Sequence, residues 1–302
     1  MQEKLSVLVT GGAGYIGSHC VKELCENGHN VTILDNFSTG LFENIDSRAI
    51  EVVKGDIMNN SDLRKAFKAK KDVVFHFAAW KAAGESMINP QKYAKNNICG
   101  TINLLNKMVE SEVKYFVFSS SAAVYGNPIY LPMDEKHPTN PTNFYGYTKL
   151  VIEQNLEWYS KLKNIRYAAL RYFNATGYDI EGKIKGKEKN AANLSPIVME
   201  AASGIREKMQ VYGNDYDTSD GTCIRDYIHV NDLASAHLLA MNYVYDSNDN
   251  LIINLGTGKG ETVINVINTA SEVVGKNIDY EIVGRREGDP EELVANSNLA
   301  HE

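Results

Sequence analysis

Residues 5–28, LSVLVTGGAGYIGSHCVKELCENG, decide the fold. Val7-Leu8-Val9 is a β-branched, apolar run of the kind buried in a parallel strand. It breaks into Gly11-Gly12-Ala13-Gly14-Tyr15-Ile16-Gly17. A helix then follows, with Val21 and Leu24 on one face and Gly28 where a helix end takes a left-handed residue. Glycines at 11, 14 and 17 let the backbone turn sharply and approach a diphosphate closely. They also leave the free N–H groups of the helix N-terminus aimed at that diphosphate. The next strand, Val31-Thr32-Ile33-Leu34, ends in Asp35. A carboxylate there accepts a ribose 2′-hydroxyl and repels a 2′-phosphate, so the site is expected to take NAD rather than NADP. A strand, glycine loop, helix, strand and terminal acid in this order are far more specific than the glycines alone.

Outward from this unit the alternation continues. Glu51–Lys54 is a predicted strand ending in Gly55-Asp56, and Ser61 is placed to cap a short helix through Phe67. Val73–Phe77 is a strand ending in Ala78-Ala79. A helix is expected over about Tyr93–Glu110 and a strand over Tyr115–Phe118, running into Ser119-Ser120-Ser121. A second helix is expected over about Tyr145–Lys161 and a strand over Ile165–Leu170. This pattern predicts an α/β fold, a doubly wound parallel sheet of the Rossmann kind with helices on both faces. Ligands bind such sheets beyond the carboxyl ends of the strands. Gly11, Asp35, Asp56, Phe77, Ser121 and Asn174 all fall at those ends.

The second half is less regular. Residues 178–193, with Gly182, Gly186 and several lysines, read as an exposed loop. Leu251–Leu255 and Ile278–Val283 read as strands, with a helix over about Val263–Val274 between them. No repeat or flexible linker separates the halves. The expected division is a dinucleotide-binding domain over 1–173 and a smaller substrate domain over 174–302, partly interleaved with it.

At 302 residues the chain is long enough for a large core. Its net charge of −7, without a long basic run, argues against nucleic acid or an anionic membrane as partner. The four cysteines, Cys20, Cys25, Cys99 and Cys223, lack metal-ligand spacing and read as free thiols of a reducing compartment. No metal site is expected. No apolar run reaches transmembrane length, and no signal peptide precedes the first strand, so a cytoplasmic protein is expected.

Tyr145-Gly146-Tyr147-Thr148-Lys149 carries the chemistry. Tyr145 and Lys149 are four apart and share one helix face. A free phenol has a pKa of about 10 and is a poor base at neutral pH. An adjacent ammonium, together with the positive nicotinamide ring of NAD⁺, is expected to stabilise the phenolate. Ser121, at a strand end, is placed to bond the same substrate hydroxyl. Tyr147 has no lysine four residues on.

These features resemble the extended short-chain dehydrogenase/reductase superfamily. The stretches GGAGYIGSH (11–19), LDNFSTG (34–40), GDI (55–57), HFAAWKAAGES (76–86), SSSAAVYGNP (119–128), RYFNATG (171–177), DGTCIRDYIHVNDLA (220–234) and GRREGD (284–289) resemble its UDP-glucose 4-epimerase family in order and spacing. The resemblance covers nearly the whole chain. It implies Ser121, Tyr145 and Lys149 as catalytic residues. It implies Gly11, Gly14, Tyr15, Ile16 and Gly17 at the NAD diphosphate, and Asp35, Asn36, Ser38 and Thr39 around the adenosine ribose. Asp56 and Ile57 would flank adenine. Phe77, Ala78, Ala79, Lys81, Asn96 and Tyr172, with Tyr145 and Lys149, would line the rest. For the substrate it implies Lys81, Ser121, Tyr145, Asn174, Asn193 and Leu194 at the nucleotide sugar and Tyr212 near uracil. Arg225 and Arg286 would clamp the diphosphate, and Asp289 would accept from the uridine ribose. Leu293 aligns with a position whose size governs entry of N-acetylated sugars. The implied reaction interconverts UDP-glucose and UDP-galactose through a 4-keto sugar, with NAD as resident cofactor and a homodimer as the working form.

The sequence departs from the family in two places. Phe144 and Gly146-Tyr147-Thr148 surround the tyrosine where the family has proline before and Gly-Lys-Ser after. The family also continues with more helix past the position of Glu302, so the second domain is expected to be cut short. A nucleotide-sugar dehydratase of the same superfamily is the rival enzyme reading. It needs an Asp-Glu pair beside the serine, whereas Ser121 is followed by Ala122-Ala123-Val124. An NAD-sensing regulator is the rival without catalysis, and such a protein would not need both Tyr145 and Lys149.

Overall fold

The structure, a computed structural model, describes residues 3–302. The first half alternates as expected: β1 (Ser6–Thr10), α1 (Tyr15–Glu26), β2 (Asn30–Asp35), β3 (Glu51–Lys54), α2 (Asn60–Ala66), β4 (Val73–His76), α3 (Ala83–Ile88) and α4 (Pro90–Tyr93). A π-helical turn over Ala94–Cys99 leads into α5 (Gly100–Glu110), then β5 (Tyr115–Ser119), α6 (Phe144–Lys163) and β6 (Arg166–Tyr172). The second half holds β7 (Asn174–Thr176), α7 (Leu194–Ala202), β8 (Met209–Tyr212), β9 (Ile224–His229), α8 (Val230–Ser247) and β10 (Leu251–Leu255). It ends with β11 (Gly260–Thr262), α9 (Val263–Val274), β12 (Tyr280–Val283), β13 (Glu292–Leu293) and α10 (Asn298–His301).

Seven strands form one parallel sheet in the order β10-β6-β5-β4-β1-β2-β3. Successive side chains of a strand point to opposite faces, and the core divides accordingly. Val7, Val9, Val73, Phe75 and Val117 join one cluster, with Val21 and Leu24 of α1 and Leu233 and Met241 of α8. Leu8, Val74, Phe116 and Phe118 join the other, with Leu104 and Met108 of α5 and Ile152 and Leu156 of α6. Both faces are buried, which is why these strands read as continuous apolar runs.

Beyond β6 the chain leaves the large sheet, then returns to it. β7 pairs with β9, and β9 also takes β11 and β13. β8 pairs with β12, and α7 packs with α9 over Val198, Met209, Val211, Ile267 and Ile278. Between these small sheets, α8 packs on α1 and β10 closes the edge of the large sheet against β6. Among the described residues, no helix is long and apolar enough to cross a membrane.

Two expectations need correction and a third needs extending. Asn59, not Ser61, caps α2: its side chain accepts the Ser61 N–H, so Ser61 is already inside the first turn. The helix expected over Tyr93–Glu110 is three pieces, α4, the π turn and α5. The π turn carries Asn97, whose amide grips both the N–H and the carbonyl of Trp80 at 2.9 Å each. Residues 178–193 form a mostly exposed loop, as expected, but their last part, residues 188–193, also straps along the ligand cavity, as described next.

Candidate active site

At the carboxyl end of the large sheet lies a cavity of about 570 Å³. This is the size of a pocket that encloses a small organic ligand. The glycine loop forms its floor. Gly11 has φ +75° and sits so close to the strand beside it that a Cβ would lie 2.6 Å from the Ala78 nitrogen. A Cβ on Gly17 would lie 2.2 Å from the Gly11 carbonyl oxygen. Helix α1 begins with no side-chain cap and no acidic residue in its first turn. Its free N–H groups are therefore left for an anion in the cavity.

At the ribose end, Asp35 closes β2 and is buried. One carboxylate oxygen accepts the Ala13 N–H at 2.9 Å and the other the Phe37 N–H at 2.8 Å. Burial pushes its pKa up, while those two N–H groups and nearby Lys189 pull it back. The carboxylate holds the glycine loop in place and keeps lone pairs free for a ribose hydroxyl. An uncapped helix end, a glycine floor and a buried acid at the second strand fit a dinucleotide with an unphosphorylated ribose.

The catalytic candidates meet at the far end of the same cavity. Helix α6 starts at Asn143, which accepts the Gly146 N–H, and this cap sets its first turn. Tyr145 and Lys149 then share a face turned towards β5. Ser121 lies just past the end of β5 and lines the same cavity as Tyr145, its hydroxyl near enough to the phenol to favour the phenolate. The Lys149 ammonium donates to the Ser119 carbonyl at 2.5 Å and lies 5.7 Å from the centroid of the Tyr145 ring. Burial drives Lys149 down to about 7, with Glu153 opposing. Burial drives Tyr145 up to about 12, and the Ser121 hydroxyl pulls the other way. The lysine therefore does not turn the phenol into a base in the protein alone. A further positive charge at the site is required, and the nicotinamide ring of NAD⁺ is the one expected there.

All nineteen residues expected at the cofactor line this cavity, from Gly11 through Asp35, Asp56, Phe77 and Asn96 to Tyr172. Of the substrate residues, Lys81, Ser121, Tyr145, Asn174 and Asn193 also line it. Leu194 does not; it opens α7 and packs against the small core there. Tyr212, Arg225, Arg286 and Asp289 form a separate cluster outside the cavity walls. Arg286 bonds Asp289 at 2.8 Å and stacks over Tyr212 at 4.8 Å, and Arg225 lies 3.9 Å from Asp289. The cluster adjoins the cavity through α3, where a Cβ on Gly84 would lie 3.3 Å from Arg286 Cδ. Leu293 pairs with Arg225 across β13 and β9 and packs against the small core that holds Ala122, Val124, Tyr125 and Phe173.

Several wall residues were not read from the sequence. Glu188, Lys189, Asn190 and Ala192 come from the strap. Glu188 pairs with Lys81 at 2.7 Å. The Lys189 N–H donates to the Thr39 carbonyl and its ammonium to the Phe37 carbonyl, each at 3.0 Å. Asn44 donates to the Lys187 carbonyl at 2.7 Å, and Asp179 pairs with Lys22 at 3.2 Å. A lysine-rich, glycine-punctuated segment gives no signal that its partners are two lysines, an asparagine and backbone carbonyls far away in the chain.

The sequence pattern of the NAD-dependent epimerase/dehydratase family matches residues 7–256. The chain belongs to this family. It is 46% identical to the UDP-glucose 4-epimerase of Halalkalibacterium halodurans over 98% of this chain and 88% of that protein. The UDP-glucose 4-epimerase of Brucella ovis, solved with NAD, superimposes with a TM-score of 0.93 at 42% identity, covering 98% of this chain and 91% of that one. The Bifidobacterium longum enzyme, solved with NAD⁺ and UDP, superimposes with a TM-score of 0.92 at 39% identity over 98% and 91%. Family membership and the fit of the cavity together make NAD the cofactor. The family unites epimerases and dehydratases, so the residues beside Ser121 must choose between them. They are Ala122 and Ala123, in a tight turn with no carboxylate.

Proposed function

We propose that this chain is a UDP-glucose 4-epimerase, interconverting UDP-galactose and UDP-glucose through a 4-keto sugar. The observation that carries this reading is the meeting of Ser121, Tyr145 and Lys149 on the wall of the cavity floored by the glycine loop. Bound NAD supplies the hydride acceptor and donor for C4. The residues of the chain supply the proton. The Tyr145 phenolate takes it from the sugar 4-hydroxyl, Ser121 bonding the same oxygen, and returns it when C4 is reduced on its other face. Lys149 stabilises the phenolate by charge and is placed to hold the nicotinamide ribose. Proton and hydride both come back, so no net oxidation occurs.

Residues 1–173 bind NAD in this reading, and residues 174–302 carry the nucleotide end of the substrate. Arg225, Arg286, Asp289 and Tyr212 hold the uridine diphosphate beside the cavity. Anchoring the substrate there leaves the hexose free to turn over between the two half-reactions. Glycines at the diphosphate of NAD, Asp35 at its ribose and Asp56 with Ile57 at adenine complete the assignment. We further read the working form as a cytoplasmic homodimer.

A coupled assay with UDP-galactose, run in parallel with UDP-N-acetylgalactosamine, tests this. The expected result is conversion of UDP-galactose to UDP-glucose without added cofactor. Protein that holds NAD yet converts neither sugar overturns the reading.

A further inference from the structure

The mechanism uses Ser121, Tyr145 and Lys149 but leaves the buried Arg171–Glu153 ion pair close to them unexplained. Tyr145, Lys149 and Glu153 are successive fourth residues of α6 and make one stripe. The stripe faces three consecutive serines. Tyr145 meets the Ser121 hydroxyl, Lys149 meets the Ser119 carbonyl, and Glu153 accepts from the fully buried Ser120 hydroxyl at 2.5 Å. Glu153 itself is held from the other side. Arg171 of β6 donates to both of its oxygens, Nε at 3.0 Å and Nη2 at 2.6 Å, and both side chains are under a tenth exposed. Arg171 is fixed in turn by Tyr125, whose hydroxyl donates to Asn254 at 2.6 Å.

We propose that Glu153 is a positioning residue for epimerisation: clamped by Arg171, it ties the Ser119–Ser121 strand end to the helix that carries Tyr145 and Lys149. A buried carboxylate pair is a poor device for stability alone, since apolar residues of the same volume serve as well or better. It is a good device for register. The bidentate fork allows one geometry, and the Ser120 bond passes that geometry to the residues on either side. The inference rests on the epimerase reading of this site.

The pair also sets the field at Lys149. The charged and titratable groups facing that ammonium are Glu153 and Tyr145 on its own helix, His76 on β4, and Tyr172 on β6, which bonds the Ser119 hydroxyl. Glu153 is the carboxylate among them. Removing its charge makes the ammonium harder to keep and leaves the buried Arg171 guanidinium without its counter-charge.

Two variants test the proposal. Ser120→Ala breaks the clamp and keeps the ion pair. Its kcat should fall about tenfold to a hundredfold, as expected for small misplacement of reacting groups, with KM unchanged and NAD retained. Glu153→Gln keeps an acceptor and loses the charge. The alkaline limb of its kcat–pH profile should move to lower pH. With 13C-labelled lysine and no sugar present, Lys149 should titrate at lower pH than in the wild type. That NMR readout does not depend on the substrate: a Lys149 shifted by Glu153→Gln, beside a wild type inactive on UDP-galactose, would sink the epimerase reading and keep the clamp. Should Glu153→Gln fail to fold, Ser120→Ala decides alone. A folded Ser120→Ala with wild-type kcat overturns the proposal. So does a Glu153→Gln variant whose activity falls equally at every pH while Lys149 titrates as before.

Discussion

The glycine loop and the strapping end of the 178–193 loop wall the same cavity by different means. The loop is made of backbone. Gly11 and Gly17 leave no room for a Cβ, Asp35 pins Ala13, and the strand ends behind them are buried on both faces. The strap is held mostly through side chains. Glu188 meets Lys81, Lys189 reaches two carbonyls and Asn44 reaches a third. A wall of backbone is fixed by sterics and tolerates nothing. A wall of partly exposed ion pairs is held by terms of a kilocalorie or less each and can give way.

This contrast predicts a graded set of effects. Tyr145→Phe, on α6 at the far end of the cavity from the glycine loop, removes the group that moves the proton; kcat should fall by about 10² to 10⁴ with NAD still bound, by coupled assay and absorbance. Near-normal turnover would overturn that role. Gly17→Ala pushes a methyl group against the Gly11 carbonyl. Purified protein should lose most of its NAD, read from the ratio of absorbance at the nucleotide and protein maxima. An occupancy equal to wild type would mean that the loop is not rigid.

Lys149→Met gives a smaller effect with a definite sign. Folding lowers the Lys149 pKa from 10.5 to about 7, so the folded state binds fewer protons between those values. The cost of burying the ammonium is full below pH 7 and fades as pH rises towards 10.5. The methionine variant should therefore melt higher than wild type at pH 6, with the gain shrinking by pH 10. A gain independent of pH would show that folding does not lower the Lys149 pKa. Glu188→Gln, on the strap, should change Tm least. Its pair is worth about 1 kcal/mol or less, since Lys81 remains a third exposed. Faster loss of NAD in a dilution experiment is its expected signature, and a large fall in Tm would place the strap with the rigid wall.

The same contrast explains what was legible in the sequence. Val7–Gly17, Asp35 and Tyr145–Lys149 each carry a local rule: a strand that must end, a loop that must be glycine, two residues on one helix face. Each of these came out in place. The strap obeys no local rule, because its partners Lys81, Thr39, Phe37 and Lys22 lie far back in the chain. The π turn at Ala94–Cys99 was hidden for the same reason: its Asn97 holds both backbone groups of Trp80, a residue outside the helix. The cluster of Arg225, Arg286, Asp289 and Tyr212 came only from the resemblance. Single charged residues in irregular segments carry no spacing that could betray them.

Asp35 has a consequence for anyone who wants to change the coenzyme. The usual route to a phosphorylated coenzyme is to neutralise the acid at the end of the second strand. Here that acid also accepts the N–H groups of Ala13 and Phe37. A substitution that welcomed the extra phosphate would strip both amides of their acceptor and slacken the turn beneath the pyrophosphate. Coenzyme preference in this protein is thus welded to the shape of its own binding loop, and a swap calls for coordinated changes at both places rather than one.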